Sequence, residues 1–279
     1  MLTYESLTEQ AKLRGMPQTK IRGILREYLQ VLILKELCGL KEGRKLSFTG
    51  GTYLRLIHGL KRFSEDLDFN SNSAKKAEFE TLLNKIKSGL GKSGLECGLS
   101  FSHWGQSYVA KLIFPGIEKT YNAVSKYSKK EGIIIKVEAA SREYKASPEA
   151  LLISGFGEFY PCVCAVKGVL FADKIDALGK KQRGRHIYDV IFMLANNYPV
   201  DMKALKVLGI KDEPKKAIRE RISRFSKDEL KKQAEVLRPF LFDEKEADLI
   251  ANAGNIIPQL LEKYGAEKPL LEPPIKQKE

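Results

Sequence analysis

Asp66 and Asp68 stand one residue apart in the run Arg62-Phe63-Ser64-Glu65-Asp66-Leu67-Asp68-Phe69, a short way after Thr49-Gly50-Gly51-Thr52. Side chains alternate between the faces of a strand, so on a strand both carboxylates share one side while Leu67 and Phe69 take the opposite, buried side. Two hard oxygen ligands on one face suit Mg2+ or Mn2+, since such ions are commonly held by one or two carboxylates plus substrate phosphates. An isolated acidic pair is usually a solvated turn, so the surrounding residues decide what this one means.

Leu46-Ser47-Phe48-Thr49 reads as a short strand and Gly50-Gly51 as a turn, with a helix beginning at Thr52, which can cap it. A strand leading through glycines into a helix N-terminus offers backbone N–H groups to an anion. The glycines let that backbone approach phosphates without a Cβ in the way. Gly50, Gly51, Thr52 and Arg55 are therefore the candidate nucleotide contacts, and Asp66 and Asp68 the candidate metal ligands. Phosphate cradle and metal seat together describe nucleotidyl transfer: attack on the α-phosphate of a metal-bound nucleoside triphosphate, with pyrophosphate leaving.

The apolar run at Ile133, Ile134 and Ile135 marks a further strand over residues 132–140. Its alternation places Ile134, Lys136 and Glu138 on one side, where Glu138 can add a third carboxylate. A solvated Lys136 and Glu138 is the plainer alternative. Lys174 lies beside the apolar stripe of a helix over residues 169–178, where a surface lysine with a buried stem is equally compatible with the pattern.

The runs Phe48-Thr49-Gly50-Gly51-Thr52-Tyr53-Leu54-Arg55-Leu56, His58-Gly59 and Arg62 to Phe69 resemble the signature of the AbiEii-type nucleotidyltransferase toxins, within the polymerase-beta-like nucleotidyltransferase superfamily. Ile135-Lys136-Val137-Glu138 with Arg142-Glu143 is similar to a family strand that carries an acidic residue. Ala172-Asp173-Lys174-Ile175-Asp176-Ala177-Leu178 and Arg185-His186-Ile187-Tyr188-Asp189-Val190 resemble the family's lysine helix and its Arg-Asp-x-Tyr-Asp segment. The first Asp of that segment is His186 here, and the second is retained as Asp189.

The resemblance implies a catalytic set of Asp66, Asp68, Lys174 and Asp189, with Lys174 also on the nucleotide and Glu138 completing the metal site. Lys174 would neutralise triphosphate charge. Asp189 would either orient Lys174 or act as general base toward the acceptor hydroxyl. It also implies a toxin that modifies RNA, namely tRNA, in a toxin–antitoxin or phage-defence system, restrained by a cognate antitoxin with a DNA-binding module. The competing expectations are a non-catalytic RNA- or partner-binding protein and a nucleotidyltransferase for small molecules.

Several other signals carry no chemistry. Gly91-Lys92-Ser93 looks like the end of a phosphate-binding loop, but the glycine required five residues earlier is Ile86, so it reads as a turn after a helix over residues 74–87. Cys162 and Cys164 have no second pair, and His58, His103 and His186 have no metal-binding spacing. Trp104 and the scattered tyrosines read as packing residues.

To position the site, the chain has a long helix over residues 18–40 and strands near 95–104 and 107–114 besides those above. From residue 169 onward it reads as helices, at 169–178, 187–196, 202–208, 227–237 and 244–264. That is an α+β architecture: a mixed sheet with flanking helices, then a helical C-terminal portion. Residues 1–165 form the expected nucleotidyltransferase core with N-terminal helices, 166–267 a helical domain completing the active site, and 268–279 a flexible tail.

The 279 residues are 43% hydrophobic and 30% charged, values that suit a globular protein with a substantial core. No apolar block suggests a signal peptide or a membrane span, and four cysteines without a framework fit a reducing, cytoplasmic setting. The formal net charge of +13 favours polyanionic partners. Between residues 203 and 232, 11 Lys and Arg outnumber 5 Asp and Glu, either a solvated helix face or a surface for a nucleic-acid backbone.

Overall fold

Period-two alternation builds one sheet from seven strands: β1 (Leu46–Thr49), β2 (Asp66–Ser71), β3 (Gly98–Trp104), β4 (Ser107–Phe114), β5 (Ile133–Ser141), β6 (Glu149–Gly155) and β7 (Glu158–Cys164). The computed structural model describes residues 1–71, 75–104, 107–123, 132–141, 147–180 and 182–265. Arg142 and Glu143, the first residue of the helix expected at 74–87 and the C-terminal tail lie outside the described residues. The strand order is β3-β4-β5-β2-β1-β7-β6. β2 sits at the centre, antiparallel to β1 and parallel to β5. The sheet is mixed and the fold α+β, as its alternating and helical segments suggest.

By contact the chain divides into two units, Met1–Ala165 and Val166–Glu279. The first unit holds the whole sheet with helices α1 (Tyr4–Leu13), α2 (Ile21–Gly39), α3 (Gly50–His58), α4 (Lys76–Lys92) and the single-turn α5 (Ile117–Thr120). α2 is buried on most of its circumference, including Glu27 and Gln30, because it packs against β7, β5 and α4 together. The expected turn at Gly91 and Lys92 is instead the last turn of α4, which stops at Ser93.

The β6–β7 hairpin was not apparent from the sequence. Its turn places Phe156 at φ 54° and Gly157 at φ 79°, the paired left-handed conformations of a tight hairpin. Phe156 accepts that backbone because its ring is buried against Tyr28, 5.5 Å between centroids. Pro161 is tolerated in β7 because the strand meets β1 only at its end, where Cys164 pairs with Phe48.

The second unit contains α6 (Lys167–Lys180), α7 (Gly184–Ala195), α8 (Met202–Val207), α9 (Pro214–Ile222), α10 (Lys227–Leu237), α11 (Ala247–Ala251) and α12 (Ala253–Lys263). Asp201 caps α8, and Ser226 with Glu229 forms a reciprocal capping box on α10. The single helix expected over 244–264 is interrupted at Asn252, which joins α11 to α12.

Candidate active site

β1 ends at Thr49, paired with Asp68 on β2, and the chain enters α3 through Gly50 at φ 85°. A Cβ at Gly50 would lie 2.3 Å from Asp68 Oδ2, and one at Gly51 would lie 2.7 Å from Arg62 Nη2 and 2.8 Å from Ser64 Oγ. Glycine is required at position 50 by both backbone conformation and the approach of Asp68. At position 51 the buried Arg62 fills the space.

The helix begins two residues earlier than its pattern suggests. Gly50-Gly51 is its first turn, and Thr49, not Thr52, stands at the N-cap. Thr52 is almost fully buried, and its hydroxyl donates to the backbone carbonyl of Asp66, tying α3 to β2. Thr49 Oγ1 is buried without a hydrogen-bond partner.

On β2, Leu67 and Phe69 are buried while Asp66 and Asp68 share the accessible face. The parallel β5 sets Glu138 beside Asp68 and Lys136 beside Asp66. Alternation along β5 keeps Lys136 and Glu138 on its half-exposed face, with Ile135 and Val137 buried. The Lys136 ammonium lies 2.9 Å from Glu138 Oε2 and 3.4 Å from Asp66 Oδ2. Desolvation pulls the Lys136 pKa down, but the hydrogen bond to Glu138 and the charges of Asp66, Glu138 and Asp68 outweigh it, and the pKa is raised. Lys136 therefore holds its charge among these carboxylates.

Among the described residues, no three acidic, histidine or cysteine side chains close around a single ion position as they stand. Two of the three carboxylates here close on Lys136. The donor chemistry nonetheless fits a hard divalent cation: three carboxylates arise from neighbouring strands, and two of them already hold a positive charge between them.

Arg55, grouped by sequence with the nucleotide contacts, lies in a buried ion cluster. It is 5% exposed, its Nε donates to Glu27 Oε2 at 2.9 Å, and Arg14 holds the other oxygen of Glu27 at 3.3 Å. This buried cluster braces α3 against α2.

In the second unit, Lys174 on α6 and Asp189 on α7 form an ion pair, Nζ to Oδ2 at 2.7 Å. Asp189 is fully enclosed and Lys174 nearly so. Enclosure suits a carboxylate that orients an ammonium better than one that reaches an acceptor hydroxyl. His186 lies one turn before Asp189 and is also buried. Helices α9 and α10 bury Ala217, Ile218, Leu230 and Ala234, while Lys215, Lys216, Arg219, Lys227, Lys231 and Lys232 are exposed.

Sequence reasoning placed Lys136 on the carboxylate face without seeing its bridging role, and did not single out Thr49. The available signal for Lys136 was its two-residue spacing from Glu138. All four cysteines are free and buried. Among the described residues, no helix is long and apolar enough to cross a membrane.

Comparison with known proteins matches the family model "Nucleotidyl transferase AbiEii toxin, Type IV TA system" over residues 32–252. No curated protein matches the sequence. The chain is similar in structure to JHP933 from Helicobacter pylori, with 19% identity over 87% of this chain and 93% of that one and a TM-score of 0.51, a likeness of fold. It also aligns with MenT4, a nucleotidyltransferase toxin from Mycobacterium tuberculosis, at 16% identity over 92% of this chain and 99% of that one, with a TM-score of 0.49. The family model spans most of the chain, and this protein belongs to the AbiEii family of nucleotidyltransferase toxins of type IV toxin–antitoxin systems.

Proposed function

We propose that this toxin transfers a nucleoside monophosphate from a nucleoside triphosphate to an RNA acceptor, tRNA, with Mg2+ or Mn2+ held by Asp66, Asp68 and Glu138. The observation that carries the proposal is the parallel pairing of β2 with β5, which sets Glu138 beside Asp68 on the accessible face, next to the glycine entry into α3. When bound, the metal supplies Lewis-acid polarisation of the triphosphate.

The chain's own residues do the rest. The first-turn amides of α3, at Gly50, Gly51 and Thr52, receive phosphate oxygens at the positive end of the helix dipole. The buried Thr49 hydroxyl is a further donor available at the same strand end. Lys174, oriented by Asp189, supplies positive charge to the triphosphate. In the reaction an acceptor hydroxyl attacks the α-phosphate and loses its proton, the bond from the α-phosphorus to the bridging oxygen breaks, and pyrophosphate leaves.

Exposed lysines and arginines of α9 and α10 support an RNA acceptor, because a dense row of cations matches a phosphate backbone. The family's toxin–antitoxin setting supports a cognate antitoxin, for which we propose a DNA-binding module.

The test incubates the purified protein with each labelled nucleoside triphosphate, Mg2+ or Mn2+, and total tRNA. Label on RNA that disappears in Asp66→Ala and Asp68→Ala is the expected result. Retention of RNA without label would overturn catalysis in favour of a binding protein. Label on a small molecule would overturn the RNA acceptor, with charge reversal on α9 and α10 then leaving turnover unchanged.

A further inference from the structure

Strand β6 ends the sheet and, among the described residues, pairs only with β7. The two-residue turn makes Gly155 and Glu158 a hydrogen-bonded pair, so alternation turns the N–H and C=O groups of Ala150 and Leu152 away from β7. Ser154 follows the same alternation, and its outward carbonyl accepts from Arg14 Nη1 at 2.5 Å. No charged side chain or proline interrupts residues 150–155, so this edge lacks the usual blocks to pairing with another chain.

The outer face of the same hairpin is apolar. Leu152 is 56% exposed and Phe159 69%, with Pro161 opposite Leu152 and Val163 opposite Ala150. At the Ala150 end this strip runs into a cavity of about 260 Å³, where β7, which meets β1 only at Cys164 and Phe48, parts from Leu46. Leu37, Leu46, Pro161 and Val163 line it together with Arg44, whose Nε donates to the Cys38 carbonyl at 3.3 Å. Among the described residues, no carboxylate pairs with Arg44. The cavity is smaller than the roughly 300–1,000 Å³ of small-molecule sites, and suits a single large apolar side chain.

We propose that the β6 edge, its apolar strip and the Arg44 cavity form one docking site for a protein strand of alternating acidic and apolar residues. The incoming strand adds to β6 at Ala150 and Leu152, one apolar side chain passes over the small Ala150 into the cavity, and a neighbouring carboxylate pairs with Arg44. Net charge selects the occupant: at +13 the chain repels a second copy of itself and attracts an acidic partner. Among the described residues, Arg44 is the one cation lining the cavity, short of the row that a nucleic-acid backbone needs. The site stands on β6 and β7, apart from the carboxylates of β2 and β5, and does not depend on their role.

The experiment follows the fluorescence anisotropy of a short labelled peptide, glutamate alternating with valine and one phenylalanine, titrated with the full-length protein. A copy with lysine for glutamate tests charge. The variants are Leu152→Pro, Leu152→Lys and Arg44→Glu. Leu152→Pro removes an N–H that β7 does not use, so the hairpin should persist; Leu152→Lys changes only an exposed side chain and covers the case in which the proline variant fails to fold. The proposal expects saturable binding of the acidic peptide, weakened about tenfold or more in each variant and for the lysine peptide. Amide exchange at Ala150 and Leu152 should slow when the peptide binds. Absence of wild-type binding would overturn the proposal, and so would binding that all three variants retain, since the peptide would then occupy another basic surface. A wild-type dimer in sedimentation that Leu152→Pro converts to monomer would give the edge to a second copy instead. Displacement of the peptide by total tRNA, with tRNA binding lost in Leu152→Pro, would give it to RNA.

Discussion

Gly50 and Asp68 are in mutual contact: a Cβ at residue 50 would lie 2.3 Å from Oδ2 and 2.8 Å from Cβ of Asp68. The helix that offers its first-turn amides and the strand that carries the acidic pair therefore locate one another through a missing side chain. Gly50→Ala should cost about 1–2 kcal/mol from the left-handed backbone alone, with a further cost from displacing Asp68. Denaturant unfolding should show that further cost shrinking in an Asp68→Ala background, where Oδ2 and Cγ are gone. Nucleotide transfer by Gly50→Ala should fall toward that of Asp68→Ala. A fully active Gly50→Ala would mean the contact does not position Asp68.

Lys174 and Asp189 make a buried pair, and replacing one member takes from the other charge a counter-ion that lies 2.7 Å away. Asp189→Asn should destabilise the fold by roughly 3–5 kcal/mol, the range for breaking a buried ion pair. The double replacement Lys174→Met with Asp189→Leu removes both charges and should recover most of that stability. If the pair serves the triphosphate as proposed, the recovered fold should still transfer no nucleotide. A stable and active double variant would reduce the pair to a structural role.

The first-unit site was legible where local rules govern it. Alternation alone placed Asp66 and Asp68 opposite Leu67 and Phe69, and it put Lys136 and Glu138 on one face of their strand. What it could not supply was register. Whether Glu138 or Lys136 stands beside Asp68 depends on the parallel pairing of two strands more than sixty residues apart, and no local pattern encodes that.

The surroundings of Arg55 were hidden for a related reason. Its sequence neighbours are glycines and a helix start, but its spatial neighbours are Glu27 and the chain at Leu60. Hairpin β6–β7 escaped notice because Pro161 breaks the strand pattern and Cys162 and Cys164 suggest chemistry instead of pairing. Helices α1 and α9 were masked by polar surfaces, since each buries only a narrow stripe.

Cys162 gives a pH dependence whose sign can be worked out. Hydrogen bonding with Cys164 and Cys38, then burial, pushes its thiol pKa well above the ordinary 9.0. An acid whose folded pKa is raised favours folding while both states are protonated, and that advantage is lost as pH rises past the unfolded value. The unfolding free energy should therefore drop above pH 9 by about 1.4 kcal/mol per pH unit from this group. Cys162→Ala should show a shallower decline over the same range in urea titrations at pH 8 to 10.5. Parallel slopes for the two proteins would sink the assignment.

Arg55 separates bracing from binding. Glu27 is 2% exposed and is held by Arg55 on one oxygen and Arg14 on the other, so Arg55→Met leaves a buried carboxylate with a single, longer partner. The loss should approach 3 kcal/mol, the lower end for opening a buried pair, because Arg14 remains. Arg55→Lys keeps the charge but loses the planar fork, and should fall between the two. If Arg55 braces α3 and does not touch the nucleotide, folded Arg55→Lys should show the wild-type rise in melting temperature when a nucleoside triphosphate and Mg2+ are added. A stable Arg55→Lys that no longer responds to nucleotide would return Arg55 to the binding site.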